Sequence, residues 1–381
     1  MDRKKLKLFI IVSEDWSFWS HRLSLAQAAI DAGFDVTVLT KVNKLEDKIK
    51  EKGINVININ LVRSSKSPIT DLLNIIKLFS IFRKEKPDII HNVALKTILI
   101  GSLGALFNKN TVVVNAFTGL GYVFSSNQLQ AKIIRLFIKP VFQLITLKHN
   151  YWTIFQNPDD SNLFNSLGLI EPERSVIIRG SGVDTNEFLQ ATDTNNTPVV
   201  MLASRMLWDK GIGEFVEAAK RLRDENSNAK FILVGDTDTD NPMSIPVSTI
   251  KQWTNEGYVS WEGHSNNMPE TLASASIICL PSYREGLPKV LLEAAAVGRP
   301  LVATDVPGCR EIVKNGENGI LVKLKDVDSL YNAMKMLISN NEMRKFMGEH
   351  SRALVESELS TDIINKQTLQ LYKLARNNGT V

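Results

Sequence analysis

Short, β-rich apolar runs alternate with helix-length segments along nearly the whole sequence. This alternation limits the fold more than any other feature. The runs fall at 6–12, 36–40, 56–59, 89–91, 111–116, 152–156 and 175–179, and the pattern then restarts at 199–203, 230–234, 259–262, 277–281, 301–304 and 319–322. Near-continuous apolar strands are buried on both faces, which requires a parallel sheet with helices on each side. Two such series predict two α/β domains, each a doubly wound, Rossmann-like parallel sheet. The 381 residues suit two domains of roughly 150–200 residues each. The one linker-like shift in composition is QATDTNNTP at 190–198. It predicts a first domain over 1–190, a second over 191–357, and a final helix, 358–381, crossing back to the first. Two doubly wound domains in tandem make a cleft, with ligands expected at the carboxyl ends of the strands.

Composition excludes several classes. Apolar content is 44% and charged content 23%, as in soluble globular proteins. Cys279 and Cys309 are too few for a disulfide framework and have no metal-like spacing, so a reducing, cytoplasmic setting is expected. The apolar run 8–12 meets Glu14 and Asp15 at once, unlike a signal peptide. No stretch approaches the roughly 18 apolar residues of a membrane span. The net charge of +4 hides an asymmetry: residues 1–150 carry 22 basic and 11 acidic side chains, the remainder 23 and 30. With no aromatic–basic nucleic-acid motif, the basic half points to an anionic membrane surface, or to no more than solvated helix faces.

Two segments carry the chemistry. In SRMLWDKG, 204–211, Arg205 and Lys210 lie between a strand and a helix, where backbone N–H groups already favour an anion. Arg grips phosphate oxygens bidentately and Lys adds a point charge, so the pair suits a diphosphate. In PSYREGLPKVLLEAA, 281–295, Gly286 allows close backbone approach and Pro288 suits a helix start, with Glu285 before it and Glu293 on it. The Glu293 carboxylate can accept hydrogen bonds from ribose hydroxyls. Each feature also has an ordinary structural explanation, as surface charges or a satisfied buried carboxylate.

Together with RGSGVDTNEF at 179–188 and DVPGCREIVKNGENGILV at 305–322, these motifs resemble the retaining glycosyltransferases of family 4, which have the two-domain GT-B fold. EDWSFWSHR, FTGLGYVF and GDTDTDNP are similar to the branch acting on lipid-linked oligosaccharides. The resemblance implies a UDP-sugar donor, a polyprenyl-diphosphate-linked acceptor in O-antigen, capsule or N-glycan assembly, and a peripheral position on the cytoplasmic membrane face. It further implies that Arg205 and Lys210 neutralise the leaving diphosphate. Glu285 would hold the donor sugar, Gly286 and Leu287 amides the distal phosphate or sugar, and Glu293 the ribose.

There are departures. Where many relatives carry a histidine after the fifth strand, this chain has Thr118, followed by Gly119. A hydroxyl donates a hydrogen bond but is no base near pH 7. In the loop after the first strand, Asp15 and His21 are the ionisable candidates for catalysis, and Asp15 could activate an acceptor hydroxyl. Trp16, Trp19, Arg22 and Tyr122 are candidate acceptor contacts. DTDTD at 236–240 looks like an Asp-x-Asp metal motif, but acidic residues commonly turn or cap after a strand, and two cations already serve the diphosphate. No metal or other cofactor is expected. The helical stretches 67–86 and 129–152 mix apolar and basic residues, as an interfacial helix or a helix packed on the sheet would. Two other readings stay open: a sugar-nucleotide 2-epimerase of the same fold, and a non-catalytic sugar-nucleotide binder.

Overall fold

A computed structural model describes residues 5–61, 68–119, 129–146, 150–194 and 196–377. It divides into two compact units, Met1–Ser181 with Ile364–Val381, and Gly182–Ile363.

The first unit holds seven strands: β1 Leu6–Glu14, β2 Phe34–Lys41, β3 Asn55–Asn58, β4 Ile89–Val93, β5 Val112–Ala116, β6 Tyr151–Phe155 and β7 Ser175–Ile177. Their order is β3-β2-β1-β4-β5-β6-β7, and every pairing is parallel. The period-2 alternation of β1 sends Leu8, Ile10 and Val12 into one core and Phe9 and Ile11 into another, on the opposite face. Strands β4, β5 and β6 are buried at each position, their polar His91, Asn92, Asn115 and Thr153 included. The strand order reverses between β1 and β4.

The helix Pro68–Glu85 has two apolar stripes. Leu78 and Phe82 are buried against the sheet, while Ile69, Leu72, Leu73 and Ile76, at i, i+3, i+4 and i+7, face outward and are 56–73% exposed. The packed-helix expectation therefore accounts for one stripe only.

The C-terminal helix Thr361–Asn377 buries Ile364, Leu371, Tyr372 and Ala375 in the same core as Leu8 and Ile10. Its crossing back begins at Ile364, later than the expected 358. The first boundary falls at 181/182 rather than 190/191, because the polar run is docked on the second unit. Ala191 N–H donates to the Val297 carbonyl at 3.1 Å, Ser276 Oγ to Asp193 at 3.0 Å, and Arg344 pairs with Asp193. Composition alone does not reveal such anchoring.

In β4, His91 Nδ1 lies 2.6 Å from the Tyr372 hydroxyl. Burial, with the nearby Arg22 charge, pushes the His91 pKa down from 6.5 to about 3. Between those values the unfolded chain binds a proton that the folded one refuses, so stability rises with pH across this window and is lost on acidification. Thermal melts should fall as pH drops from about 6.5 towards about 3, and less so for His91→Phe. Equal acid sensitivity of both proteins would refute the assignment.

The second unit has β8 Val199–Ala203, β9 Lys230–Val234, β10 Ser260–Trp261, β11 Ile277–Leu280, β12 Leu301–Thr304 and β13 Gly319–Val322. The order is β10-β9-β8-β11-β12-β13, again all parallel. The reversal here lies between β8 and β11. Both free cysteines, Cys279 and Cys309, are buried.

Candidate active site

Loops leaving β8 and β11 are neighbours because those strands pair at the point where the order reverses. Ligands of open α/β sheets bind beside the carboxyl ends of strands at such a point. After β8 the chain makes a short 3₁₀ turn, Trp208–Lys210, and enters the helix Ile212–Asp224 through Gly211 in the left-handed region, φ 73°. After β11 it runs through 281–288 into the helix Lys289–Ala296, with Pro288 at the N-cap. The two loops are tied directly. Tyr283 N–H donates to the Asp209 carbonyl at 2.8 Å, and the Tyr283 hydroxyl donates to Glu214 at 2.7 Å.

This placement brings Lys210 and Glu285 together across 75 residues of sequence. Lys210 Nζ donates to Glu285 Oε1 at 2.6 Å, with side chains only 19% and 13% exposed. Gly286 and Leu287 follow, half-buried, in the same loop. Gly308, at the start of the helix Pro307–Ile312, packs on that loop: a Cβ there would lie 2.4 Å from the Gly286 carbonyl oxygen. Glu293 is buried, and its partner is Lys289, one turn back, at 3.3 Å. Burial pushes its carboxyl above the usual range, against the opposing pull of Lys289. The two glutamates therefore sit in different environments, one paired at a loop tip and the other within a helix.

Arg205 lies on the same β8 loop, exposed, with Nη1 2.6 Å from Asp238 Oδ2. Asp238 belongs to the DTDTD run. Its carboxylate orients a basic residue, and the Asp236 carbonyl accepts from Met206 N–H at 2.9 Å. Among the described residues no three His, Cys, Asp or Glu side chains gather as a metal-binding group. Neither the Arg205–Asp238 pairing nor the Tyr283–Glu214 bond has a local spacing signal, since both depend on how adjacent strands pair.

The first-unit candidates divide. Asp15 is buried and accepts from the backbone N–H groups of Trp16, Asn43, Lys44 and Leu45 at 2.7–3.0 Å. Burial alone would raise its pKa, but these bonds outweigh it and hold the carboxyl below its ordinary value. A carboxylate so engaged fixes the turn at 43–45 and is a weaker base than a free one. Arg22 is not a surface contact; it is buried in the unit's interior. Its Nη1 donates to the His21 carbonyl at 3.0 Å, and His21 is half-buried beside it. Trp16 is 47% exposed, and its indole N–H bonds Glu14. Trp19 packs against the core. Thr118 is exposed and Gly119 half-buried. Tyr122 and Gly121 lie outside the described residues.

Comparison with known proteins gives this geometry a family. Residues 7–148 match the model for glycosyl transferase 4-like domains, and 197–340 the model for glycosyl transferases group 1. The chain belongs to the family 4-like glycosyltransferases. It is 27% identical over 369 residues to the N,N'-diacetylbacillosaminyl-diphospho-undecaprenol alpha-1,3-N-acetylgalactosaminyltransferase of Campylobacter jejuni, covering 93% of this chain and 95% of that one. It is 25% identical to the UDP-Gal:alpha-D-GlcNAc-diphosphoundecaprenol alpha-1,3-galactosyltransferase of Escherichia coli, over 84% of each. The structure of Anabaena HepE in complex with UDP and glucose superposes with a TM-score of 0.75 at 17% identity, covering 97% of this chain and 99% of that one. This glycosyltransferase thus has the GT-B fold, and the family match agrees with the reading of the Arg205–Lys210 and Glu285–Glu293 motifs as family 4.

Proposed function

We propose that this glycosyltransferase moves a sugar, an N-acetylhexosamine or hexose, from a UDP-sugar to a polyprenyl-diphosphate-linked glycan of a bacterial surface polysaccharide, with retention and without a metal. The observation that carries this reading is the Lys210–Glu285 pair at the strand-order reversal of the second unit, with Arg205 on the same loop. Lys210 and Arg205 supply two positive charges where a diphosphate leaves, electrostatic stabilisation by groups already in place. Glu285 accepts from donor-sugar hydroxyls, the Gly286 and Leu287 amides meet the phosphate end, and Glu293 takes the ribose. The named substrates of the Campylobacter and Escherichia relatives, each matched over most of its length, support a diphospho-undecaprenol acceptor.

Among the described residues no carboxylate stands out as a nucleophile, which favours front-side attack, with the departing phosphate taking the acceptor proton. The test offers synthetic polyprenyl-diphosphate N-acetylhexosamine with a panel of UDP- and GDP-sugars in EDTA, read by mass spectrometry and by NMR of the new anomeric centre. One mass addition from a UDP-sugar, with retained configuration, is expected. Epimerised donor without transfer, an inverted product, or dependence on added metal would each refute its part.

Work on a lipid-linked acceptor requires contact with a membrane surface. No helix among the described residues is long and apolar enough to span one. The outward stripe Ile69, Leu72, Leu73 and Ile76, with Phe107 75% exposed and Lys77, Arg83 and Lys84 alongside, suits a helix lying in the interface. Replacing Leu72 and Ile76 by Glu should weaken binding to anionic vesicles at least tenfold, since each buried apolar side chain contributes about 1.5–3 kcal/mol. Unchanged flotation with vesicles would exclude this face.

A further inference from the structure

The interior of the first unit contains a cavity that the donor chemistry does not use. It lies where β4, β5 and β6 end and the C-terminal helix packs, and its lining includes Arg22, His91, Gln156, Asn365 and Thr368. Two nitrogens of its lining residues, Arg22 Nε and His91 Nε2, are buried and have no hydrogen-bond partner among the described residues. Arg22 is 6% exposed and His91 2%. Nothing lining the cavity is acidic; the titratable or charged groups around it are His21, Arg22, His91 and, from the C-terminal helix, Tyr372.

His91 Nδ1 and the Tyr372 hydroxyl share one hydrogen bond. When the hydroxyl donates, Nδ1 accepts and the His91 proton sits on Nε2, which is the tautomer the site requires. Arg22 Nε–H is a donor in every state and carries charge. A guanidinium taken out of water without a counter-charge is among the costliest arrangements in a protein interior. A water molecule accepts from both donors but neutralises nothing. An acidic side chain is absent from the lining. Size sets the remaining limit: the cavity is about 20 Å³, which suits one water-sized body.

We propose that this cavity is a halide site, in which a single chloride ion accepts from Arg22 Nε–H and His91 Nε2–H and locks the C-terminal helix onto β4. Burial holds the His91 pKa at about 3, so His91 contributes a neutral N–H, and Arg22 provides the charge that the anion balances. The ion is structural. It sits beneath the His21–Arg22 turn and tunes how firmly that turn and the C-terminal helix are held.

Two measurements test this on the full chain. Crystals grown without chloride and soaked in sodium bromide should show an anomalous peak within hydrogen-bonding distance of Arg22 Nε and His91 Nε2. Water density there instead would overturn the proposal. In solution, melts in sodium chloride and sodium gluconate at equal ionic strength should differ, with chloride raising the Tm by roughly 2–4 °C at saturation. Arg22→Met and His91→Phe should abolish that difference. A bromide peak with equal melts would mean an adventitious ion only, and also overturns the proposal. If Arg22→Met does not fold, His91→Phe and the bromide experiment still decide.

Discussion

Replacing Glu285 by Ala should leave the protein folded and reduce kcat about 10²–10³-fold, the scale of losing one positioned transition-state partner. Lys210→Ala should cost a comparable factor. The reason is the 2.6 Å ion pair between them, with both side chains largely buried. In Glu285→Ala, Lys210 loses its anchor and remains as an unpaired, half-buried charge, which displaces the group meant for the diphosphate. In Lys210→Ala, the Glu285 carboxylate loses its counter-charge and would repel an anionic donor. Because each single change disables the same unit, the double variant should be little worse than either alone. Steady-state rates for the two singles and the double, with thermal melts to confirm folding, decide it. Fully multiplicative losses would show that the two side chains act independently, and the paired-site reading would fail.

Gly211→Ala should strongly destabilise the second unit. Gly211 sits at φ 73°, and a Cβ there would lie 2.1 Å from the Pro281 carbonyl oxygen. That oxygen is backbone at the end of β11, so it cannot swing away. The left-handed conformation costs about 1–2 kcal/mol for an L side chain, and the overlap adds about 1–3 kcal/mol of overpacking. It would also force the β8 and β11 loops apart and separate Lys210 from Glu285, so donor affinity should fall with stability. Gly257 provides the control. It has φ 77° but nothing within 4 Å of its Cβ position. Gly257→Ala should cost only the conformational part. Equal destabilisation by both substitutions would show that the loop-to-loop contact at Gly211 carries no weight.

The Arg205–Asp238 pair adds a consequence for donor binding. On the proposed function, a diphosphate arriving at Arg205 would compete with a carboxylate already bound to it. The DTDTD run holds that cation through Asp238, a contact that its spacing did not suggest.

Much of the architecture follows from the order of residues. Apolar runs with a period of two, or with no polar interruption, can be buried only as parallel strands, so each strand lies where its pattern places it, within a residue or two at the ends. The placement of the candidate residues was legible for a similar reason: Arg205 and Lys210 follow one strand and Glu285 another, and a strand's carboxyl end is where such a sheet binds ligands. The tertiary structure decided what those patterns cannot encode. Pairing of β8 with β11 sets Lys210 against Glu285. Folding of the turn at 43–45 onto Asp15 gives that carboxylate three backbone N–H donors. Return of the C-terminal helix sets Tyr372 against His91, 281 residues earlier, and encloses Arg22 with them. Local periodicity reports which face of an element is buried, because that depends on the element's own geometry. Which side chain waits on the other side depends on contacts between distant segments, and no local spacing carries that information.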